Sequence, residues 1–526
     1  MEKLSINMST KNIGFTCWNT YEKYMIDSYE DLIQTMRWKL FHFKIKKRKK
    51  QFAHCLSDDQ ETNSSEQFYG LRTLAEAEVD LDLKSFQDDM IHLFSCLKQR
   101  NFKSTFQDKL REIENRIKGT DKLIIRRDKT DNFYLLPVED YKRKLHENIT
   151  KDYRKVSDAI FENVDKENAK IARELNVEWR LEKSTKQMAF LTIKDHKADF
   201  PGKVSCRLIN PMKNPLGRIS KKLLERINSD VRRNTNLNQW QSTKSALDWF
   251  QAIDNKQNKK FFQFDIEGFY PNMTEESLKR ALQWARGYSY ISDKAIEIIL
   301  QARKTFLYDG ENMWVKKGNS NFDVSMGGFD GAEACELEGL YILFRLTEGE
   351  KVFKKEEVEL YRDDGLAVIE ASGPEMDRLR KETIRIFKEE GLKITWETNI
   401  QQVCFFDVFL DLKTGLFKPY HKNNSQIRYV NRGSNHPRII LDNIPDGVNK
   451  RLTTISSNQE CFDSEIDDFQ EALIDAGYCH NLVFGHKSLK KGVKGRLYNN
   501  RNFKQEKQRY NLFYSSFQPL LWDKRW

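Results

Sequence analysis

Three aspartates stand where an acid can do chemistry. Asp265 closes the run Phe261-Phe262-Gln263-Phe264 and is followed by Ile266, Glu267, Gly268 and then Phe269-Tyr270-Pro271. Asp363 and Asp364 lie side by side in Leu360-Tyr361-Arg362-Asp363-Asp364-Gly365-Leu366. Val358 and Leu360 alternate with charged residues before them, and Leu366-Ala367-Val368-Ile369 follows. Adjacent carboxylates repel. Water screens that repulsion in an open loop, but apolar strands on both sides imply a tip emerging from a buried sheet, where carboxylates are costly without a cation. A hard divalent cation prefers oxygen, and Mg²⁺ typically takes one or two carboxylates plus substrate phosphate. If the strand ending at Asp265 lies beside the Asp363-Asp364 hairpin, three carboxylates converge. Two metals about 3.5–4 Å apart would then clamp an in-line phosphoryl displacement. One would activate a hydroxyl, the other stabilise a pyrophosphate leaving group.

Such a site needs a sheet to hold it, and short β-rich runs alternate with helical stretches from Leu123 onward. Leu123-Ile124-Ile125, Phe133-Tyr134-Leu135-Leu136, Ala189 to Ile193, Arg207-Leu208-Ile209 and Phe261 to Phe264 read as strands. Thr274 followed by Glu275-Glu276 reads as a helix start, a hydroxyl cap with acids at the positive helix end. The hairpin is expected to turn at Asp-Asp-Gly, since Asp-Gly supplies a positive φ. This mixture predicts an α+β protein. The expected organisation is a charged helical extension over 1–118, a catalytic region over 119–415 and a basic C-terminal region over 416–526. In the extension, Phe86, Met90, Leu93 and Leu97 predict one apolar helix face. The polar stretch 57–67 predicts a linker.

Composition narrows the classes. The chain has 526 residues with 89 Lys and Arg against 78 Asp and Glu, a net charge of +11 that favours an anionic partner, nucleic acid first. At 39 % hydrophobic residues there is material for a sizeable core. No run approaches the roughly 18 apolar residues of a membrane span, and no signal pattern opens the chain, so an intracellular protein of nucleus or cytoplasm is expected. None of the 8 cysteines forms a C-x-x-C pair, which leaves zinc modules and disulfide scaffolds without support. The basic run Lys44 to Lys50 reads as a phosphate contact, a nuclear address or a solvated helix face.

The two acidic segments resemble motifs A and C of a reverse transcriptase palm. Tyr361-Arg362-Asp363-Asp364 is similar to the Tyr-x-Asp-Asp box, and Asp265 with Phe269 and Tyr270 to motif A. Ser325-Met326-Gly327-Gly328-Phe329-Asp330-Gly331 and the helical run after it resemble motif B, without the usual Gln and Pro beside the glycines. Lys194-Asp195-His196-Lys197, Cys206-Arg207-Leu208-Ile209-Asn210-Pro211 and Arg127-Asp128-Lys129 resemble fingers motifs. Gly391-Leu392-Lys393 resembles motif D, and Cys404 to Leu412 motif E, the primer grip. The Asp128-Lys129-Thr130 box with Asn132, Lys194 to Lys197, and the Gly331-Ala332-Glu333 helix start look most like Penelope-like retroelements. No GIY-YIG pair or RNase H acid set accompanies them.

The resemblance implies a right-hand polymerase: fingers and a palm of antiparallel sheet packed by helices, a helical N-terminal extension and a helical thumb beginning near Asn435. It implies RNA-directed DNA synthesis with an RNA template, a DNA or RNA primer and dNTPs. Asp265, Ile266, Asp363 and Asp364 would hold two Mg²⁺ ions, with Mn²⁺ as the alternative. Lys194, Lys197 and Arg207 would grip the triphosphate, with Lys129 a further candidate. Gly327 and Gly328 would let backbone approach the nucleotide, Tyr270 would exclude a 2′-hydroxyl, and Lys393 would protonate the departing pyrophosphate. The tail from Lys487 to Trp526 interleaves basic and aromatic residues, as single-strand binders do and as an ordinary helix pair also can. The rivals are an RNA-dependent RNA polymerase, which shares the carboxylates, and a non-catalytic nucleic-acid-binding descendant of a retroelement. A metal nuclease would leave the aromatic after Asp265 and the glycine turn unexplained.

Overall fold

A computed structural model describes residues 120–485 apart from 129–132, 175–177, 179–180, 182–185, 196–198, 201, 238, 319–320 and 422–425, together with 2–4, 11–12, 14, 19, 81–96, 105–118 and most of 21–36. The basic run at 44–50, the stretch 57–67, Leu97, Lys129, Lys197 and the tail from Lys487 lie outside the described residues. The chain forms two units. One comprises Met1–Ile6, Ile125–Ile427 and Asn449–Phe469; the other comprises Asn7–Ile124, Arg428–Val448 and Gln470–Trp526.

In the first unit the extreme N-terminus is a strand, not part of the expected helical extension. β1 (Glu2–Leu4) pairs antiparallel with β3 (Phe133–Pro137), while β2 (Lys122–Arg126) is the strand expected at Leu123. A three-residue strand has too little pattern to show in sequence; its partner's edge creates it. β4 (Tyr153–Val156) joins a separate small sheet. β5 (Phe190–Ile193) and β6 (Cys206–Ile209) form an antiparallel pair. The Val138–Asp152 helix places Tyr141, Leu145 and Ile149 at four-residue steps. That stripe packs with Ile125, Tyr134, Leu191 and Ile193.

β7 (Lys260–Ile266) is an inner strand of a four-stranded sheet. Its alternation sorts it: Phe262, Phe264 and Ile266 are buried on one face, and Phe264 meets Phe387 of the Gly373–Glu389 helix at 5.5 Å between ring centroids. On the other face Phe261 is buried, Gln263 half-buried and Asp265 exposed, so that face opens toward the C-terminal end. β8 (Leu307–Tyr308) and β9 (Met313–Lys316) complete the small sheet with β4. β10 (Val358–Tyr361) and β11 (Asp364–Ile369) form the expected hairpin, and β12 (Ile394–Ile400) flanks β7 on its far side. The sheet order is β10-β11-β7-β12, antiparallel throughout. β13 (Gln402–Phe405), β14 (Val408–Asp411) and β15 (Phe417–Pro419) follow as a three-stranded sheet.

The Gly331–Phe344 helix is largely buried, with Ala334, Cys335, Leu337, Leu340, Ile342 and Leu343 in the core and Glu338 buried among them. Thr274 caps the Glu275–Ala285 helix as expected: its hydroxyl accepts from Ser277 N–H at 3.0 Å, and Ser277 Oγ accepts from Thr274 N–H at 3.2 Å. The C-terminal helices are Arg438–Thr454, Gln459–Asp463 and Asp467–Asp475.

In the second unit, helices Leu81–Ser95 and Thr105–Ile117 are present as expected, and residues 21–30 are also helical. The apolar face of the first differs from the expected one. Met90 and Phe94 pack on Tyr29 and Ile33, whereas Leu93 is 57 % exposed. A step of four keeps Met90 and Phe94 on one side, and Leu93 falls on another. No helix among the described residues is long and apolar enough to cross a membrane. The chain is thus a mixed helix-and-sheet protein.

Candidate active site

Backbone register builds the acidic corner. Asp265 of β7 is the direct cross-strand partner of Asp364 in β11, and Thr395 of β12 is its partner on the other side. Ile266 N–H donates to the Asp363 carbonyl at 2.8 Å, and Glu267 N–H donates to the Lys393 carbonyl at 2.8 Å. Residues that lie nearly a hundred positions apart are thereby neighbours. Directly opposed Cβ atoms stand about 4.5–5.5 Å apart, and like charges there are destabilising. Asp265 is exposed, while Asp363 and Asp364 are half-buried. Among the described residues no three His, Cys, Asp or Glu side chains form a group that would hold a metal ion. The Asp265–Asp364 pair nonetheless suits Mg²⁺, which typically takes one or two carboxylates and fills its remaining positions with substrate phosphate and water. Ile266 is buried and its side chain has no ligand atom, so only its carbonyl can serve.

The hairpin turn differs from the expected one. Tyr361 pairs with Asp364, so the two loop residues are Arg362 and Asp363, and the positive φ of 54° belongs to Arg362. Gly365 lies inside β11. A Cβ there would sit 2.1 Å from carbons of the Phe264 ring, so the glycine is required by packing across the sheet and not by the turn. Arg362 in the left-handed region carries a backbone strain of about 1–3 kcal/mol, of the kind that collects at functional sites.

Around this corner the other predicted residues fall into place unevenly. Phe269 is buried core, whereas Tyr270 is half-buried. Burial, then the Cys335 thiol, pushes the Tyr270 phenol up, with Arg362 opposing and Asp363 adding to the rise. The ring is therefore a neutral wall of the corner. Lys393 is exposed, immediately before β12. Gly327 has φ +116°, and a Cβ there would lie 2.3 Å from the Asn210 carbonyl oxygen. Asn210 N–H in turn donates to the Met326 carbonyl at 3.1 Å. Only glycine fits at 327; Gly328 has no such requirement.

Around β5 and β6, two ion pairs cross-link the segments that the sequence picked out. Arg127 pairs with Asp195, both buried, and Tyr134 donates to the other Asp195 oxygen at 2.8 Å. Arg207 Nη1 lies 3.1 Å from Asp128 Oδ1, with Arg207 27 % exposed. Asp128 N–H donates to Ile193 O at 2.8 Å, and Lys194 N–H to Ser205 O at 2.9 Å. Arg207 is half-exposed and held by one acid, which leaves guanidinium donors for a phosphate. Its cross-strand partner is Thr192, two residues before Lys194, whereas Lys197 is outside the described residues.

Several structural supports had no sequence signal. Arg303 and Asp330, both almost fully buried, pair at the start of the Gly331–Phe344 helix. Trp240 N–H donates to the Leu360 carbonyl at 3.0 Å, and Gln239 bridges Leu360, which covers the outer edge of β10. The primer-grip-like segment is the β13–β14 hairpin, whose turn residue Phe406 meets the Tyr361 ring at 4.7 Å. Asp407 in the same turn accepts from Thr243 Oγ1 at 3.0 Å and pairs with Arg451.

A family profile, the Animal helix-turn-helix domain, matches residues 428–488. No curated relative matches the chain. Among solved structures the chain is similar to a telomerase from Candida albicans in complex with a TWJ fragment of telomeric RNA, at TM-score 0.48 and 11 % identity over 83 % of this chain and 77 % of that one. It is similar to an apo telomerase from Candida tropicalis truncated from the C-terminal domain, at TM-score 0.38 and 12 % identity over 56 % of this chain, and spans 63 % of that protein. It is also similar to the RNA-dependent RNA polymerase of a human picobirnavirus, at TM-score 0.37 and 12 % identity over 82 % and 88 %. These superpositions are loose.

Proposed function

We propose that the chain is an RNA-directed DNA polymerase of retroelement type, Penelope-like in its motifs, with a right-hand layout in which β10-β11-β7-β12 is the palm. The observation that carries the reading is the register that opposes Asp265 to Asp364 beside the Asp363 turn. Two like charges facing each other at the exposed end of the sheet are stabilised by cations and by the phosphates that accompany them.

In this reading Asp265, Asp363 and Asp364, with the Ile266 carbonyl, hold two Mg²⁺ ions. When bound, the ions activate the primer 3′-hydroxyl and balance charge on the leaving pyrophosphate. The oxygen–phosphorus bond forms at the α-phosphate as the α–β bond breaks. Arg207 and Lys194 orient the triphosphate. Tyr270 packs against the sugar and rejects a 2′-hydroxyl sterically, which favours dNTPs over rNTPs. The Gly327 turn lets backbone approach the nucleotide, and Lys393 gives a proton to the departing pyrophosphate. The helix-turn-helix match falls where a thumb is expected, and residues 428–488 are read as part of a duplex-holding thumb. Their Asp467–Asp475 helix begins with two acids, which suits packing better than insertion among phosphates.

The test is extension of a labelled primer on RNA and DNA templates with dNTPs or rNTPs, comparing wild type with Asp363→Asn and Asp265→Asn. Equal extension by all three ends the assignment of these acids. Incorporation of rNTPs alone makes the protein an RNA polymerase. Binding without extension makes it a non-catalytic descendant.

A further inference from the structure

Two ion pairs tie the Arg127-Asp128 segment to the β5–β6 hairpin and its flanks, and they are built differently. The Arg127 and Asp195 side chains are 5 % and 4 % exposed, and the second Asp195 oxygen accepts from Tyr134 at 2.8 Å. Both charges are enclosed, so that pair is a cross-link. In the other pair only the acid is enclosed. The Asp128 side chain is 9 % exposed, whereas Arg207, whose Nη1 lies 3.1 Å from Asp128 Oδ1, is 27 % exposed. The second Asp128 oxygen is buried and meets no hydrogen-bond donor among the described residues. Burying a carboxylate is costly, and a pair with a half-exposed partner returns little of that cost, so stability alone is a poor reason for this arrangement.

What the pair does supply is rigidity. The Asp128 backbone is fixed, because its N–H donates to the Ile193 carbonyl at 2.8 Å and Arg127 bridges Ile193 beside it. The cross-strand partner of Arg207 is the uncharged Thr192, so strand register places the Arg207 backbone without orienting its guanidinium. A free arginine samples many rotamers and loses that freedom when it closes on an anion. Held at one nitrogen by a fixed acid, it has lost that freedom before the anion arrives. We propose that Asp128 is a positioning residue, acting through Arg207 by holding its guanidinium in place for an oligophosphate anion. This rests on Arg207 being the triphosphate contact of the proposed function. The sign of the effect is diagnostic. An acid that acts on the anion by charge alone repels it, and its removal strengthens binding; an acid that positions Arg207 weakens binding when it is removed.

The test uses the full chain and two readouts, only one of which needs nucleotide transfer. Inorganic tripolyphosphate is titrated calorimetrically in Mg²⁺-free buffer into wild type, Asp128→Asn, Arg207→Met and the double variant. Asparagine keeps the side-chain shape and removes the charge that holds Arg207. Asp128→Asn should weaken binding about threefold to tenfold, the usual effect of leaving one long side chain to be immobilised by the ligand. Arg207→Met should weaken it at least as much, and the double variant should match Arg207→Met, because Asp128 acts only through that side chain. In primer extension Asp128→Asn should raise KM for dNTPs more than it lowers kcat. A wild type that extends no primer while this binding pattern holds would remove the polymerase reading and keep the positioning role. Extension by wild type with Asp128→Asn unchanged in KM and in tripolyphosphate affinity would do the reverse. Tighter binding by Asp128→Asn would make the acid a repulsive neighbour, and a full Asp128→Asn effect in the Arg207→Met background would make it a cross-link. A wild type that binds no tripolyphosphate would leave Arg207 without an anion to be positioned for. Each of these three outcomes overturns the proposal.

Discussion

The open end of the β10-β11-β7-β12 sheet and the buried interior around it treat acids in opposite ways. At the open end of the sheet, Asp265 and Asp364 face each other across two strands, with Asp363 at the turn, exposed or half-exposed. Farther in, Glu338 and Glu359 are 1 % and 3 % exposed. Burial, aided by Glu390, pushes the Glu338 carboxyl up to about 8, and burial alone pushes Glu359 to about 9. Burial thus shifts both acids toward the protonated form. Asp330 is a third case, buried but matched by Arg303. Repulsion at the sheet end is thus local: Glu338 and Glu359 are pushed toward the protonated form and Asp330 is paired.

The comparison breaks first at the sheet end. Asp265→Asn or Asp363→Asn should lower primer extension about a thousandfold or more. Denaturant unfolding of Asp265→Asn should show stability unchanged or raised by about 0.2–1 kcal/mol, because a like-charge pair has gone. A large loss of stability would mean that the acid is structural.

The paired acid should respond in the opposite sense. Arg303→Met leaves Asp330 buried without its partner and should cost about 3–5 kcal/mol in denaturant unfolding. Packing beside the hairpin comes next: Gly365→Ala drives a methyl into the Phe264 ring and should cost about 1–3 kcal/mol, with extension falling as Asp364 shifts.

Glu338 gives the finest distinction. Its folded pKa is raised above the ordinary 4.5, so between about pH 4.5 and 8 the unfolded chain has lost a proton that the folded chain keeps. Stability from this group therefore falls as pH rises through that window and levels off above it, by at most about 1.4 kcal/mol per pH unit. Urea melts at pH 5 and pH 8 should show a smaller decline for Glu338→Gln than for wild type, with primer extension retained. A variant as pH-dependent as wild type would place the effect on other groups.

Much of the candidate site was legible in the sequence, and the misses have identifiable causes. β7 and the β10–β11 hairpin follow from runs of strand-forming residues, and Thr274 announces a helix start by its own side chain. The turn was misplaced because Asp-Gly is a strong local signal for positive φ, while the demand on Gly365 comes from Phe264 on another strand. Leu93 was given to the wrong face because three- and four-residue steps both fit a short helix until a partner such as Tyr29 selects one. β1, Arg303–Asp330 and the Trp240 cover on β10 join segments remote in the chain and leave no periodic trace.

By itself the sequence determined the candidate chemistry: which acids stand at strand ends, and which basic and glycine-rich segments accompany them in which order. Those are properties of short stretches, set by side-chain periodicity and backbone preference. Tertiary structure alone decided that Asp265 faces Asp364, that Arg362 carries the turn, and that Asp128 pairs with Arg207. Such pairings depend on hydrogen-bond register and close packing between distant segments, and the energy that selects them exists only once the segments meet.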